Sequence, residues 1–241
     1  MPAPHLVLSN QSSYAPSDVP LDDIAHAISR QLEDFAKAWG EITWTLVDDL
    51  RRQGFQVVLF DTSDQAGDLA YHDVTPEGRP YASVFCKTIL DNDGTWTKGA
   101  NSVSAATSHE VVELLADPPC NRYALNGNGE EFALETADAT ENDSYDVGGV
   151  AVSNFLAPAY FNPFAKATRA NKLDHMGVVE APFTLRPGGY TIRHRGAKDT
   201  TVWGDEYPAW KRAAKKAAEH SRTSMRARLL AGEHGATARS G

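Results

Sequence analysis

The sequence has 241 residues, of which 41% are hydrophobic and 23% are charged, and its formal net charge at pH 7 is −9. This length suits one substantial domain with an appendage, or two small domains. No run approaches the roughly 18 to 20 consecutive apolar residues of a membrane span, so we expect no association with a membrane. The first residues lack a basic segment followed by a long apolar one, so we expect no secretion signal.

The chain contains two cysteines, Cys86 and Cys120, too few for a disulfide framework. Cys86 lies in an apolar, strand-like run and Cys120 in a polar loop, so little favours a bridge between them. These features predict a reducing compartment such as the cytoplasm.

The charge is distributed unevenly along the chain. Residues 211–241 contain eight Lys and Arg residues against Glu219 and Glu233, a local net charge of about +6. Subtracting this from the total of −9 leaves about −15 on residues 1–210. An acidic body does not suit nucleic-acid binding. The basic C-terminal segment could contact an acidic protein partner, although a solvated helix face explains it about as well.

The first half of the chain predicts a strand, a helix and then several strands. A short strand at residues 5–9 comes first. The helix runs from Leu21 to Gly40, because apolar side chains recur at helical spacing and a glycine ends the pattern. Strand-like runs separated by turn residues follow. They are residues 42–47, 55–60, 69–72 and 81–90.

The second half predicts two further helices separated by irregular chain. One runs from Ser102 to Ala116, where Asp117-Pro118 stops it. Residues 119–143 are polar and rich in turn residues, residues 150–161 are apolar, and loops follow. The last helix is predicted over residues 208–230. This order of elements predicts an α+β fold.

The segment from Ser108 to Glu113 contains the pattern H-E-x-x-E. Residues four apart on a helix share a face, so His109 and Glu113 can reach one ion. Glu110 then lies beside that ion, where a carboxylate can polarise a water molecule bound to the metal. This is the geometry of the H-E-x-x-H metalloproteases, with a carboxylate in place of the second imidazole. Zinc accepts carboxylate oxygen, so the replacement is chemically permitted.

A third ligand is expected further along the chain. Glu135 lies 22 residues beyond Glu113 and is followed by Asp138. This arrangement resembles the thermolysin-like zincins, in which a later glutamate completes the zinc site and an acid after it hydrogen-bonds the first histidine. The resemblance implies that Glu135 is a ligand and that Asp138 orients His109. Two carboxylates among three ligands make a hard, anionic site that suits other divalent metals as well as zinc.

The alternative interpretation is a solvated helix face that happens to carry a histidine and two carboxylates. The flanking residues are apolar on both sides, which indicates a largely buried helix. Burying His109, Glu110 and Glu113 without a cation would be costly. The matching acidic pair at Glu135 and Asp138 also favours a metal site.

The wider sequence resembles a family of phage and bacterial proteins with a zincin-like core. The resemblance covers roughly residues 70–195, and its most specific block is the motif helix followed by Asp117-Pro118. It implies a metallopeptidase-type fold, with a twisted mixed sheet, an N-terminal helix, an active-site helix and a loop-rich C-terminal part. We expect residues 1–205 to form this domain and residues 206–241 to form a basic helix and tail. The matching blocks are residues 70–72, 80–85, 104–118, 135–138, 152–161, 174–177 and 182–190.

Four other residues are candidates for the cleft. His72 could stabilise developing charge and His175 could act as an electrophile or an extra ligand, although either could be purely structural. Tyr145 and Tyr190 could steady an oxyanion through their hydroxyls, or simply pack with an exposed tip.

Two functions are therefore considered. The first is a zinc-dependent peptidase that acts on a peptide or protein, with Glu110 as general base. The second is a non-enzymatic protein of a phage particle or similar assembly that keeps the zincin-like scaffold, in which case the protein is located in the virion. Fold alone does not separate them, but a purely structural metal site has no need of Glu110.

Overall fold

The computed structural model describes residues 5–14, 20–40, 45–47, 54–63, 69–195 and 198–212. The fold is mixed α+β, as predicted. The start of the strand predicted at 42–47 lies outside these residues. Residues 209–212 are helical, and the rest of the predicted C-terminal helix and tail also lies outside the described part. Within that part, no helix is both long and apolar enough to cross a membrane.

The largest sheet has five strands in the order β2-β1-β3-β5-β4. Strands β2, β1, β3 and β5 run parallel to one another. Strand β4, at one edge of the sheet, runs antiparallel to β5. The sheet is therefore mixed, as predicted. Its strands are β1 (His5–Asn10), β2 (Thr45–Val47), β3 (Phe55–Phe60), β4 (Ala70–Val74) and β5 (Pro80–Phe85).

Helix α1 (Leu21–Trp39) confirms the first helix prediction and packs on one face of this sheet. Leu6 and Leu8 of β1 both belong to the core beneath it, because alternate residues of a strand point to the same side. Gln31 is also buried, and its Nε2 donates to the backbone oxygen of Ser153 at 2.7 Å. The apolar side chains that α1 buries are Ile24, Ala27, Ile28, Leu32 and Phe35.

Helix α3 (Val103–Ala116) is the predicted motif helix, and nearly all of its residues are buried. Ser102 caps it, because its side-chain oxygen accepts from the backbone N–H of Ala105 at 3.1 Å. Asp117-Pro118 follows the last helical residue, where proline disfavours further helix. The helix shares the core with α1 and packs against β4, β5 and a later strand, β9 (Val150–Ser153).

The strand predicted over residues 81–90 is only half correct. Strand β5 ends at Phe85, and helix α2 (Cys86–Leu90) continues from it. Its β-branched Thr88 and Ile89 favour a strand locally. However, the N–H of Lys87 donates to the oxygen of Asp61 at 3.0 Å, and the turned backbone buries Ile89 in the core. Tertiary packing therefore overrides the local preference.

The part of the chain predicted to be loop-rich contains two small antiparallel sheets. One has four strands in the order β11-β10-β7-β6, and the other is a hairpin of β8 and β9. These strands are three to six residues long, and β7 pairs with the distant β10. Strands this short give too few residues for an alternating pattern to be detected. They are β6 (Tyr123–Leu125), β7 (Glu131–Ala133), β8 (Ser144–Val147), β9 (Val150–Ser153), β10 (Tyr190–Arg195) and β11 (Lys198–Trp203).

The hydroxyl of Ser108 fastens β9 to the motif helix, which generates the first prediction. Its Oγ accepts from the buried N–H of Ser153 at 2.7 Å and donates to the oxygen of Ala105 at 3.0 Å. Substituting Ser108→Ala leaves that buried N–H unpaired, so we expect a loss of about 1 to 3 kcal/mol in the free energy of unfolding. Urea denaturation measures this loss. Ser29→Ala is the matched control, because its hydroxyl bonds only within α1, and an equal effect from both substitutions would contradict the prediction.

Candidate metal centre

The motif helix α3 carries three ionisable side chains into the interior. His109, Glu110 and Glu113 are 8%, 5% and 2% exposed. The Nε2 atom of His109 lies 3.3 Å from Oε2 of Glu113, so the two residues share a helix face as their spacing predicted. Buried charged groups of this kind require partners.

The carboxylate of Glu113 also holds the next segment of the site. Its Oε1 accepts from the backbone N–H groups of Ala137 at 3.0 Å and Asp138 at 3.2 Å. These bonds fix the start of a 3-10 turn, Asp138–Thr140, against α3. The acidic segment that the sequence placed after the motif therefore does reach the motif helix.

Asp138 contacts the ring nitrogen of His109 that also faces Glu113. Its Oδ1 lies 3.2 Å from Nε2 of His109, the same ring nitrogen that faces Glu113. The sequence predicted that Asp138 orients His109. In addition, ligand atoms of His109, Glu113 and Asp138 all lie within 4.8 Å of one another. This geometry suits Asp138 as a third ligand.

His72, a cleft candidate from the sequence, projects from β4 into the same place. Its side chain is 6% exposed, and its Nδ1 lies 3.1 Å from Oε2 of Glu110 and 3.5 Å from Oε2 of Glu113. Its Nε2 lies 3.4 Å from Oε2 of Glu135. Glu135, predicted as the third ligand beside His109, thus reaches His72. Ligand atoms of His72, Glu110 and Glu113 form a second group within 4.8 Å.

These six side chains are called the acid–histidine cluster below. Burial opposes protonation of both imidazoles, but nearby negative charge outweighs it. Interactions with Cys120 and with the charge of Glu135 raise the pKa of His72 well above its ordinary value. Glu113, together with a hydrogen bond to Asp138, does the same for the pKa of His109. The surroundings therefore favour positive charge at this position. The cluster consists of His72, His109, Glu110, Glu113, Glu135 and Asp138.

The distances within the cluster fit a metal ion. Ligand atoms about 2.0 to 2.1 Å from a tetrahedral zinc lie about 3.3 to 3.4 Å from one another. The separations from His109 Nε2 to Glu113 and Asp138 are 3.3 Å and 3.2 Å, and those from His72 Nδ1 to Glu110 and Glu113 are 3.1 Å and 3.5 Å. The donor set of imidazole nitrogen and carboxylate oxygen suits zinc and similar divalent ions.

Tyr190, predicted as a cleft residue, lies close to the cluster. Burial, followed by the charges of Asp138, Glu141 and Glu113, raises the pKa of its phenol well above the ordinary value. The hydroxyl therefore stays protonated and remains a hydrogen-bond donor. The preceding Gly189 allows this approach, because a Cβ there would lie 2.3 Å from the backbone oxygen of Ala139.

The other two cleft candidates stack together beside α1. The rings of Tyr145 and His175 are 4.5 Å apart, and His175 also stacks on Phe155 at 4.9 Å. Burial raises the pKa of Tyr145, and burial lowers the pKa of His175. Among the described residues, the ring contacts of this pair are with each other and with Phe155.

The block 174–177 has a structural explanation. The two side-chain oxygens of Asp174 accept from the backbone N–H groups of Gly177 at 2.9 Å, Val178 at 3.2 Å and Val179 at 2.8 Å. Nδ2 of Asn154 donates to the same carboxylate at 2.8 Å. Asp174 therefore organises the loop that presents His175 to Tyr145.

Sequence analysis missed three residues near the cluster. Cys120 is a buried free thiol that interacts with the His72 ring. Glu141 pairs with the buried Lys211 at 3.3 Å, and both line a cleft with His109 and Glu110. No local signal marks any of them, because each is brought to the site by long-range folding.

Comparisons of the chain with family models, curated proteins and solved structures each found no match. The resemblance to a zincin-like family therefore stays a prediction.

The triad of His109, Glu113 and Asp138 predicts a bound ion. We expect the purified protein to carry at least one divalent ion per chain, and His109→Ala to carry one fewer, because an essential imidazole ligand is gone. Elemental analysis after dialysis measures the content. His26→Ala, on the exposed side of α1, should leave it unchanged. A metal-free wild type that rebinds neither zinc nor manganese would contradict the prediction.

Proposed function

We propose that this protein is a metal-dependent hydrolase, specifically a zinc-dependent peptidase with a zincin-like core. The observation that carries the proposal is the burial of four carboxylates around two imidazoles at ligand-to-ligand distances. Support for the core comes from the H-E-x-x-E helix, which packs beside β4, the antiparallel edge strand of the five-stranded sheet.

The electrostatics of the cluster favour a cation. Four buried carboxylates repel one another, and the free energy of burying unpaired charges is several kcal/mol for each ion. Protons on His72 and His109 offset only part of this charge. A divalent ion offsets more and satisfies several oxygens at once. We infer that the folded protein binds a divalent ion at this position.

Glu110 is the candidate general base. A bound divalent ion supplies Lewis acidity to a water molecule and to the scissile carbonyl. Glu110 accepts the proton that the attacking water loses, and it later passes that proton to the leaving amine nitrogen. Tyr190, whose phenol stays protonated near Asp138 and Glu113, is a candidate donor to the developing oxyanion.

The surroundings of Glu110 suit an extended peptide. His109 and Glu110 line a pocket together with Leu69 and with Ala70, the first residue of β4. Within the described sheet, β4 lies at an edge. Extended peptides commonly bind by pairing with such an edge strand, because main-chain hydrogen bonds then hold them independently of sequence.

Substitution Glu110→Gln tests the mechanism. It keeps the size of the side chain and removes its basic oxygen, so the ion held by His109, Glu113 and Asp138 should remain. Positioned acid–base groups contribute about 10² to 10⁴ in rate, and we expect hydrolysis of a responsive peptide from a broad library to fall by that factor. Rates under saturating metal, measured beside metal content, check it.

Glu77→Gln is the matched control, because Glu77 lies in an exposed turn and should leave the rate unchanged. Unchanged cleavage by Glu110→Gln would overturn the mechanism. A wild type that binds metal but cleaves no member of the library would favour the alternative function, a non-enzymatic phage or assembly protein on a zincin-like scaffold.

A further inference from the structure

The acid–histidine cluster divides into two groups of possible ligands. One consists of His109, Glu113 and Asp138, and the other of His72, Glu110 and Glu113. Glu113 belongs to both groups, whereas the two histidines are in different ones. We propose that the cluster binds two divalent ions bridged by Glu113. This inference rests on the proposed metal-dependent function and assigns a second site to the same centre.

The position of the Glu113 carboxylate fits a bridge. Its Oε1 is occupied by the N–H groups of Ala137 and Asp138. Its Oε2 faces both imidazoles, 3.3 Å from Nε2 of His109 and 3.5 Å from Nδ1 of His72. An ion in each group would therefore share this oxygen. Two-metal sites in hydrolases have ions about 3.5 to 4 Å apart, a separation that one shared oxygen allows.

The surroundings of the two ring nitrogens of His72 provide an independent argument for the second ion. Its Nδ1 faces Glu110 and Glu113, while its Nε2 lies 3.4 Å from Oε2 of Glu135 on the other side. Histidines that bind metals almost always offer their second ring nitrogen to a carboxylate, carbonyl or water, which fixes the ring and increases its basicity. Glu135 lies within charge-attraction distance of Nε2, and Nδ1 is the ring nitrogen that faces the ligand oxygens of Glu110 and Glu113.

Charge balance favours two ions over one. The cluster contains four carboxylates, Glu110, Glu113, Glu135 and Asp138, and its two imidazoles must be neutral to bind metal. One divalent ion, with the imidazole of the other group protonated, leaves one buried negative charge, whereas two divalent ions with both imidazoles neutral leave none. The neighbouring Glu141 is already paired with Lys211 and does not alter this balance.

Each ion would have three protein ligands, which leaves positions open for water and substrate. Glu110 would bind the second ion through Oε2, the oxygen 3.1 Å from His72. A carboxylate has two oxygens, so Oε1 remains for the proton transfer assigned to Glu110. Metal binding through Oε2 and proton transfer through Oε1 are therefore compatible roles for Glu110.

The test is the stoichiometry of zinc binding to the metal-free full chain. Calorimetric titration with zinc alone, with elemental analysis after dialysis, should give two ions per chain for the wild type. His72→Ala and His109→Ala should each give one ion, and Glu113→Ala should give none, because it removes the ligand that both ions share. His26→Ala should retain two ions. Far-UV circular dichroism confirms that each variant is folded.

The wild-type titration tests the proposal even if a variant fails to fold. If the wild type binds one ion and His72→Ala still binds it, the second site is overturned and the proposed function stands. One ion that both histidine substitutions abolish would indicate a single mixed site, and it would also overturn the proposal. If the wild type binds no ion, the proposed function itself is overturned.

Electron paramagnetic resonance of the manganese-loaded protein is a separate readout. Two manganese ions that share one oxygen should be magnetically coupled, so the signal should be much weaker than the same amount of isolated manganese would give.

Discussion

The arrangement of this protein depends on the carboxylate of Glu113. One of its oxygens accepts two backbone N–H groups and thereby fixes the turn that carries Asp138. The other oxygen faces His109 and His72, which come from different elements. A single side chain therefore joins α3, β4 and the 3-10 turn. Since it is 2% exposed, its charge has to be compensated within the protein, and that requirement shapes everything around it.

The compensation is distributed among unlike groups. Backbone dipoles stabilise one oxygen of Glu113, imidazoles approach the other, and Lys211 pairs with the nearby Glu141. The remaining negative charge is the physical reason for proposing a cation. The same low-dielectric surroundings that make unpaired charge costly would strengthen the action of a bound ion on a carbonyl or water. Stability of the centre and its proposed chemistry therefore have one cause.

The elements around the acid–histidine cluster are packed and hydrogen-bonded so that its side chains have fixed positions. The motif helix is buried on nearly every side, its start is capped by Ser102, and the hydroxyl of Ser108 ties it to β9. Gly189 lets β10 approach the 3-10 turn closely enough to bring Tyr190 near the carboxylates. Ligands on rigid, packed elements keep their separations without the ion, which is consistent with the ligand-like distances observed.

Sequence alone determined the features that depend on local geometry. Helical periodicity with a closing glycine predicted α1, and an apolar run stopped by Asp117-Pro118 predicted α3. Spacing then put His109 and Glu113 on one face of α3. Tertiary structure decided the rest. His72 enters the centre because β4 pairs with β5, Glu135 comes within 3.4 Å of His72, and Asp138 comes within 3.2 Å of Nε2 of His109. These contacts join segments far apart in the chain, so no local pattern contains them.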